Sequence, residues 1–104
     1  MENVFSIDGK FLIDEVNNGI IDLKDIKLYI NIPEWIEERN VYDINTHKQI
    51  GVIKPRKFQG LTYYIYDILE DFAKIKTITY GYCLVRITEA TVVSNYPYYI
   101  NGGY

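Results

Sequence analysis

Between Ile26 and Ile32 the chain alternates strictly: Ile26, Leu28, Ile30 and Ile32 take every second position, with Lys27, Tyr29 and Asn31 between them. A period of two places an aliphatic face against a core and a mixed polar face on the other side, the pattern of a half-buried strand. Such a strand cannot stand alone. Its N–H and C=O groups need neighbouring strands, and its aliphatic face needs a covering layer. Pro33 ends it, because proline has no N–H to give a ladder.

The flanking segments supply candidates for both. Val4–Ile13 holds two short apolar stretches around Asp8-Gly9, a pair suited to a type I′ turn, and reads as a β-hairpin. Asn17-Asn18-Gly19 reads as a loop. Pro33–Arg39 reads as a short helix, with proline in its first turn and early acids at the positive end of its dipole. A second hairpin spans Val41–Ile44 and Gln49–Ile53 around Asn45–Lys48, with Gly51 marking a bulge. The covering layer is expected from a helix over about residues 62–74. There Leu61, Ile65, Ile68, Leu69, Phe72 and Ile75 recur at spacings of three and four and Asp67, Glu70, Asp71 and Lys74 oppose them. Strands follow at Lys76–Tyr80 and Tyr82–Thr88, broken at Gly81, with a short edge strand at Thr91–Val93. The expected class is α+β: a mainly antiparallel sheet of about five to seven strands with one principal helix on a face.

The 104 residues fit one domain, 1–104, and an apolar share of 48% suffices for a core. A formal charge of −3 argues against a general nucleic-acid binder. Residues 1–43 carry ten acids and four bases, net −6, and residues 44–104 carry four acids and seven bases, net +3. Such asymmetry either marks an interaction surface or averages out where the halves interleave. Cys83 is the only cysteine, so neither an intrachain disulfide nor a Cys-rich metal site is available. The first residues lack the basic and apolar regions of a secretion signal, and no apolar run approaches a membrane span. The expectation is a cytoplasmic domain without a membrane segment.

Eleven residues are tyrosine, clustered at Tyr63/Tyr64/Tyr66, Tyr80/Tyr82 and Tyr96/Tyr98/Tyr99 with Tyr104. A domain of this size cannot bury that many hydroxyls with a partner for each, so several rings are expected half-exposed, where tyrosine favours contact with partners. Tyr80 and Tyr82 share strand parity and are expected on one sheet face. Tyr96, Tyr98 and Tyr99 lie in an aperiodic tail, 95–104, that contains Pro97 and two late glycines. They are expected to be flexible, or to pack over a sheet edge or against another chain. Trp35 either closes the core or anchors an interface.

One constellation suggests a small ligand. Lys54, Arg56 and Lys57 precede the expected helix, whose first N–H groups would favour an anion, and Tyr63 and Tyr64 would stack at its mouth. His47 sits in a tight turn without an orienting partner, and Asp67, Glu70 and Asp71 read as a solvated helix face. Ser6 and Ser94 lack a nucleophile-elbow context, and Cys83 lacks neighbouring cations in sequence. No metal, cofactor or catalytic residue is expected.

The expectation for function is a non-catalytic interaction protein binding a macromolecular partner, a protein first, through a Tyr-rich and acidic surface. The partner-binding candidates are Tyr96, Tyr98, Tyr99, Tyr104 and Trp35, with homo-oligomers as a further use of the same surface. Short acidic domains of this composition are common among viral and mobile-element proteins, and the surplus of tyrosine, the acidic first half and the absence of a catalytic constellation point to an inhibitor or decoy. The alternative is a binder of a nucleotide or other phosphorylated molecule at Lys54, Arg56, Lys57, Tyr63 and Tyr64.

Overall fold

A computed structural model describes residues 4–36, 38–55, 59–88 and 91–99. In chain order the elements are β1 (Ser6–Asp8), α1 (Gly9–Asn17), β2 (Tyr29–Ile32), β3 (Arg39–Tyr42), β4 (Gln49–Ile53), β5 (Leu61–Tyr64), β6 (Asp67–Leu69), β7 (Phe72–Thr77), β8 (Gly81–Arg86) and β9 (Val92–Ser94). Four strands form one sheet in the order β1-β9-β2-β5 and five form another in the order β4-β3-β8-β7-β6. All pairings are antiparallel. The class is α+β as the alternation implied, with nine strands among the described residues in place of the expected five to seven.

The alternating segment forms β2, and Leu28, Ile30 and Ile32 enter the core as the period of two requires. Against them pack Leu61, Tyr63, Ile65 and Val93 from the same sheet and Val41, Ala73, Ile75, Cys83 and Val85 from the larger one. Each aliphatic side chain so buried contributes about 1.5–3 kcal/mol. The two halves of the chain interleave: β1 and β2 pair with β9 and β5, so the charge asymmetry does not divide the molecule into acidic and basic halves.

The helix expected over residues 62–74 is absent; that segment forms β5, β6 and β7. Its three-and-four spacing also satisfies strands that change faces. Leu61, Tyr63 and Ile65 point inward at every second position. The chain then leaves one sheet for the other: Ile65 N–H donates to Leu28 O at 2.9 Å, and Tyr66 N–H donates to Lys74 O at 2.8 Å. A turn at Glu70-Asp71, with Glu70 at φ 56°, returns the chain as β7. The run Thr62-Tyr63-Tyr64-Ile65-Tyr66 is β-branched and aromatic, and that strand propensity prevails over the helical stripe.

Among the described residues the one helix forms instead where a hairpin is expected. Asp8 caps α1, its Oδ1 accepting Lys10 N–H at 3.0 Å and Phe11 N–H at 3.1 Å. Gly9 serves a close approach rather than a turn. A Cβ there would collide with Thr88 O and with the side chains of Ile87 and Thr91. Leu12 is the fully buried residue of the helix, and Ile13 and Val16 pack beside it.

Pro33–Arg39 also departs from its expected helix. Ile36 N–H donates to Pro33 O at 3.0 Å, and Arg39 already belongs to β3. Glu37 lies outside the described residues. The second hairpin forms as read, with its register shifting beside Gly51. Asp43 shapes the tip by accepting Asn45 N–H and Thr46 N–H, each at 2.9 Å, and these bonds hold its carboxyl below the usual range.

Candidate functional site

Tyr64 is the second member of a continuous row of rings. Tyr29 and Tyr64 meet edge to face at 5.7 Å between centroids, Tyr64 and Tyr66 at 4.8 Å, and Tyr66 and Tyr82 at 5.3 Å. The row is built by the ladders. Tyr29 and Tyr64 are directly opposed on β2 and β5, and the sheet change at Ile65/Tyr66 carries the outward parity of Tyr64 onto the larger sheet. Tyr66 and Tyr82 are each 47% exposed, and Tyr29 and Tyr64 are half-buried.

Two lysines complete the face. Lys74 and Lys76 alternate on β7 and point outward, with Nζ at 4.9 Å and 5.3 Å from the Tyr82 ring centre. Among the described residues neither is paired with a carboxylate; the ion pair that is formed joins Arg86 to Asp71. Exposed cation–π contacts are worth about 0.5–1 kcal/mol, too little to hold an ammonium back from an arriving carboxylate. The lysines are therefore available to an anionic partner.

Further along the same sheet face, Phe72 lies under Tyr42, His47 and Arg86. Its ring centre is 5.2 Å from that of Tyr42 and 5.1 Å from that of His47, with the Arg86 guanidinium carbon at 4.8 Å. His47 thus covers an apolar side chain. Phe72 is buried but stands apart from the main core, a small second cluster on the outer face.

The residues singled out in the sequence are scattered. Tyr63 is 3% exposed, with its ring in the core rather than at a ligand's mouth. Lys54 is exposed, and Leu61–Tyr64 form strand β5, so the helix start expected near Thr62 is replaced by a strand. Arg56 and Lys57 lie outside the described residues, as does Tyr104. Trp35 is 73% exposed, so it does not close the core. Tyr80 and Tyr82 part company. Gly81, at φ 66°, reverses the parity between them, and the Tyr80 ring rests on Gly51 while Tyr82 faces outward.

The tail is fastened to the sheet over residues 95–99. Asn31, on the outward side of β2, is only 2% exposed because this segment covers it. Its Nδ2 donates to Ser94 Oγ at 2.7 Å, and its Oδ1 accepts the Thr62 hydroxyl at 2.8 Å and Tyr98 N–H at 3.1 Å. Tyr99 N–H donates to Thr62 Oγ1 at 2.9 Å, and the Tyr98 hydroxyl bonds that of Ser6. The Tyr99 ring occupies the space where a side chain at Gly60 would stand, and burial raises its phenol above the ordinary value. Tyr96 remains 57% exposed.

Tyr66, Tyr82, Lys74 and Lys76 are not among the site residues the sequence points to, because the helix expected over 62–74 takes in Tyr66 and Lys74 and separates them from the strand residues Lys76 and Tyr82. The pattern Lys74-Ile75-Lys76-Thr77, read with a period of two, is the signal that points to them. Among the described residues no group of three His, Cys, Asp or Glu side chains is placed to hold a metal ion, and no helix is long and apolar enough to cross a membrane. No family model, curated protein or solved structure matches the chain.

Proposed function

We propose that the chain is a non-catalytic interaction protein that binds a partner protein through the face formed by Tyr29, Tyr64, Tyr66 and Tyr82 with Lys74 and Lys76. One observation carries this reading: an unbroken row of four half-exposed rings with two lysines that no carboxylate among the described residues neutralises. Tyrosine presents large area with few rotatable bonds, and hot spots of binding are enriched in it. The lysines select an acidic patch on the partner. Such a protein acts by occupying its partner's surface, as an inhibitor or decoy does.

The test is capture from a host lysate by immobilised protein, comparing wild type with Tyr66→Ala/Tyr82→Ala and with Tyr96→Ala. The double variant is expected to weaken capture by at least about tenfold, since truncating a hot-spot ring commonly costs 2 kcal/mol or more. Tyr96→Ala should capture as wild type does. A partner retained in full by the folded double variant would refute the reading.

A further inference from the structure

A cleft of about 370 Å³ opens beside β3 and β8, lined by Glu38, Arg39, Asn40, Tyr42, Arg86 and Thr88. That volume is at the small end of ligand sites, about 300–1,000 Å³. Two guanidiniums share it because of the ladder. The pair Tyr42↔Leu84, carried two residues along both antiparallel strands, sets Asn40 opposite Arg86, with Arg39 next in the chain.

Neither guanidinium is used up by its neighbours. Arg39 is half-buried, and its Nη2 donates to Thr91 Oγ1 at 2.9 Å. That oxygen also accepts Thr88 N–H at 2.9 Å, and Thr91 is itself buried, so a fixed anchor holds the Arg39 side chain. A guanidinium carries several N–H donors, and this one meets a neutral hydroxyl. Among the described residues no carboxylate pairs with Arg39, and Glu38 lies exposed on the cleft lining. Burial disfavours the cation and pushes its pKa below the ordinary value. Arg86 stacks on aromatic side chains, its guanidinium carbon 4.8 Å from the Phe72 ring centre and 5.8 Å from that of Tyr42. Its Nη1 pairs with Asp71, and among the described residues its other side-chain N–H groups have no partner.

Two neighbouring cations repel, and one of them is partly stripped of water without a counter-charge. An anion between them offsets both costs. A carboxylate is satisfied by one guanidinium, as Asp71 is by Arg86. A phosphate monoester presents several oxygens and about two charges, which suits two planar forks. The rest of the lining is the Asn40 amide, the Tyr42 and Thr88 hydroxyls and the Glu38 carboxylate. These groups hydrogen-bond to hydroxyls, and the volume limits the ligand to about one sugar ring.

We infer that this cleft binds a small phosphorylated polyol or sugar, its phosphate held between Arg39 and Arg86 and its hydroxyls toward Glu38, Asn40 and Tyr42. The site is separate from the face of Tyr66 and Tyr82 and needs no partner protein.

The test is NMR titration of the whole labelled chain at constant ionic strength, following the Nε–H signals of Arg39 and Arg86. The probes are glycerol phosphate, glucose phosphate, inorganic phosphate, glucose and a phosphoserine peptide. At least one of the two esters is expected to shift both signals saturably, with Kd below about 1 mM, and glucose to leave them unmoved. Arg39→Lys and Arg86→Lys keep the charge and lose the fork, and each should weaken binding by at least about tenfold. Should the change at half-buried Arg39 unfold the chain, the half-exposed Arg86 carries the comparison alone. Absence of a saturable shift with either ester overturns the inference. Inorganic phosphate binding as tightly as both esters indicates an adventitious ion only and overturns it too. So does unweakened binding by a folded lysine variant. A phosphoserine peptide bound more tightly than either ester overturns it in favour of a phosphorylated protein.

Discussion

The side-chain carbonyl of Asn31 accepts the backbone N–H of Tyr98 at 3.1 Å, joining the middle of β2 to a segment 67 residues later. The same oxygen accepts the Thr62 hydroxyl, and the Asn31 amide donates to Ser94. Tail and sheet are therefore one packed layer, held by a polar group that water does not reach.

Asn31→Ala leaves Thr62, Ser94 and Tyr98 N–H short of partners inside that layer. Each stranded group costs about 1–3 kcal/mol, though relaxation of the tail into water recovers part. The expected net loss is about 2–3 kcal/mol by urea denaturation, with faster amide exchange at Tyr98 and Tyr99. Unchanged stability would show that the network contributes nothing.

Gly9→Ala opposes two effects of known size. Alanine favours a helix over glycine by about 1 kcal/mol. Against this, the new methyl meets Thr88 O and two side chains, and overpacking of this kind costs about 1–3 kcal/mol. The neighbours are backbone and β-branched side chains with little room to yield, so net destabilisation is expected. A thermal midpoint above that of wild type would contradict the close approach.

The tyrosines of the tail should differ among themselves. Tyr96→Ala, at a mostly exposed ring, is expected to change stability by less than about 0.5 kcal/mol. Tyr99→Ala empties the space above Gly60 and should cost about 1–3 kcal/mol. Chemical denaturation of the two single variants makes the comparison.

Cys83 is wholly buried, and burial pushes its thiol above the ordinary value, an effect the Thr77 hydroxyl partly offsets. A group whose folded-state pKa is raised contributes stability in full below its unfolded value, about 8.5, and loses it as pH rises toward the folded one. Wild type should therefore lose stability between pH 7 and pH 10 more steeply than Cys83→Ala, measured by urea midpoints at both ends. Parallel slopes would show that the thiol plays no part.

Much of the sheet was legible because period-two patterns report burial directly. β2 follows from Ile26–Ile32, and the β3–β4 hairpin from turn formers between β-branched flanks. The helix was misplaced for a physical reason. The core-facing parity runs from Leu61 through Ile65 and then slips by one, because Tyr66 and Asp67 both oppose Lys74 and Ile68 turns inward, so that Leu61–Ile75 imitates a helical stripe. The converse error occurred at Asp8-Gly9, where one dipeptide serves a tight turn or a helix cap equally well, and contact with Thr88 decides between them.

The sequence by itself determined that this chain builds an antiparallel α+β fold, and that its tyrosines outnumber the places to hide them. Side-chain alternation and composition are local or additive properties, readable without a third dimension. Which tyrosines reach the surface was decided by tertiary structure alone. The backbones of Tyr98 and Tyr99 are fastened by Asn31 and Thr62, both far away in the chain, which leaves the Tyr98 ring 43% exposed and lays that of Tyr99 over Gly60. Tyr66 and Tyr82 are brought to the lysines of β7 by a strand that leaves one sheet for the other. These are pairings between distant segments, set by ladder register and by the need to satisfy buried polar groups, and no window of sequence contains both partners.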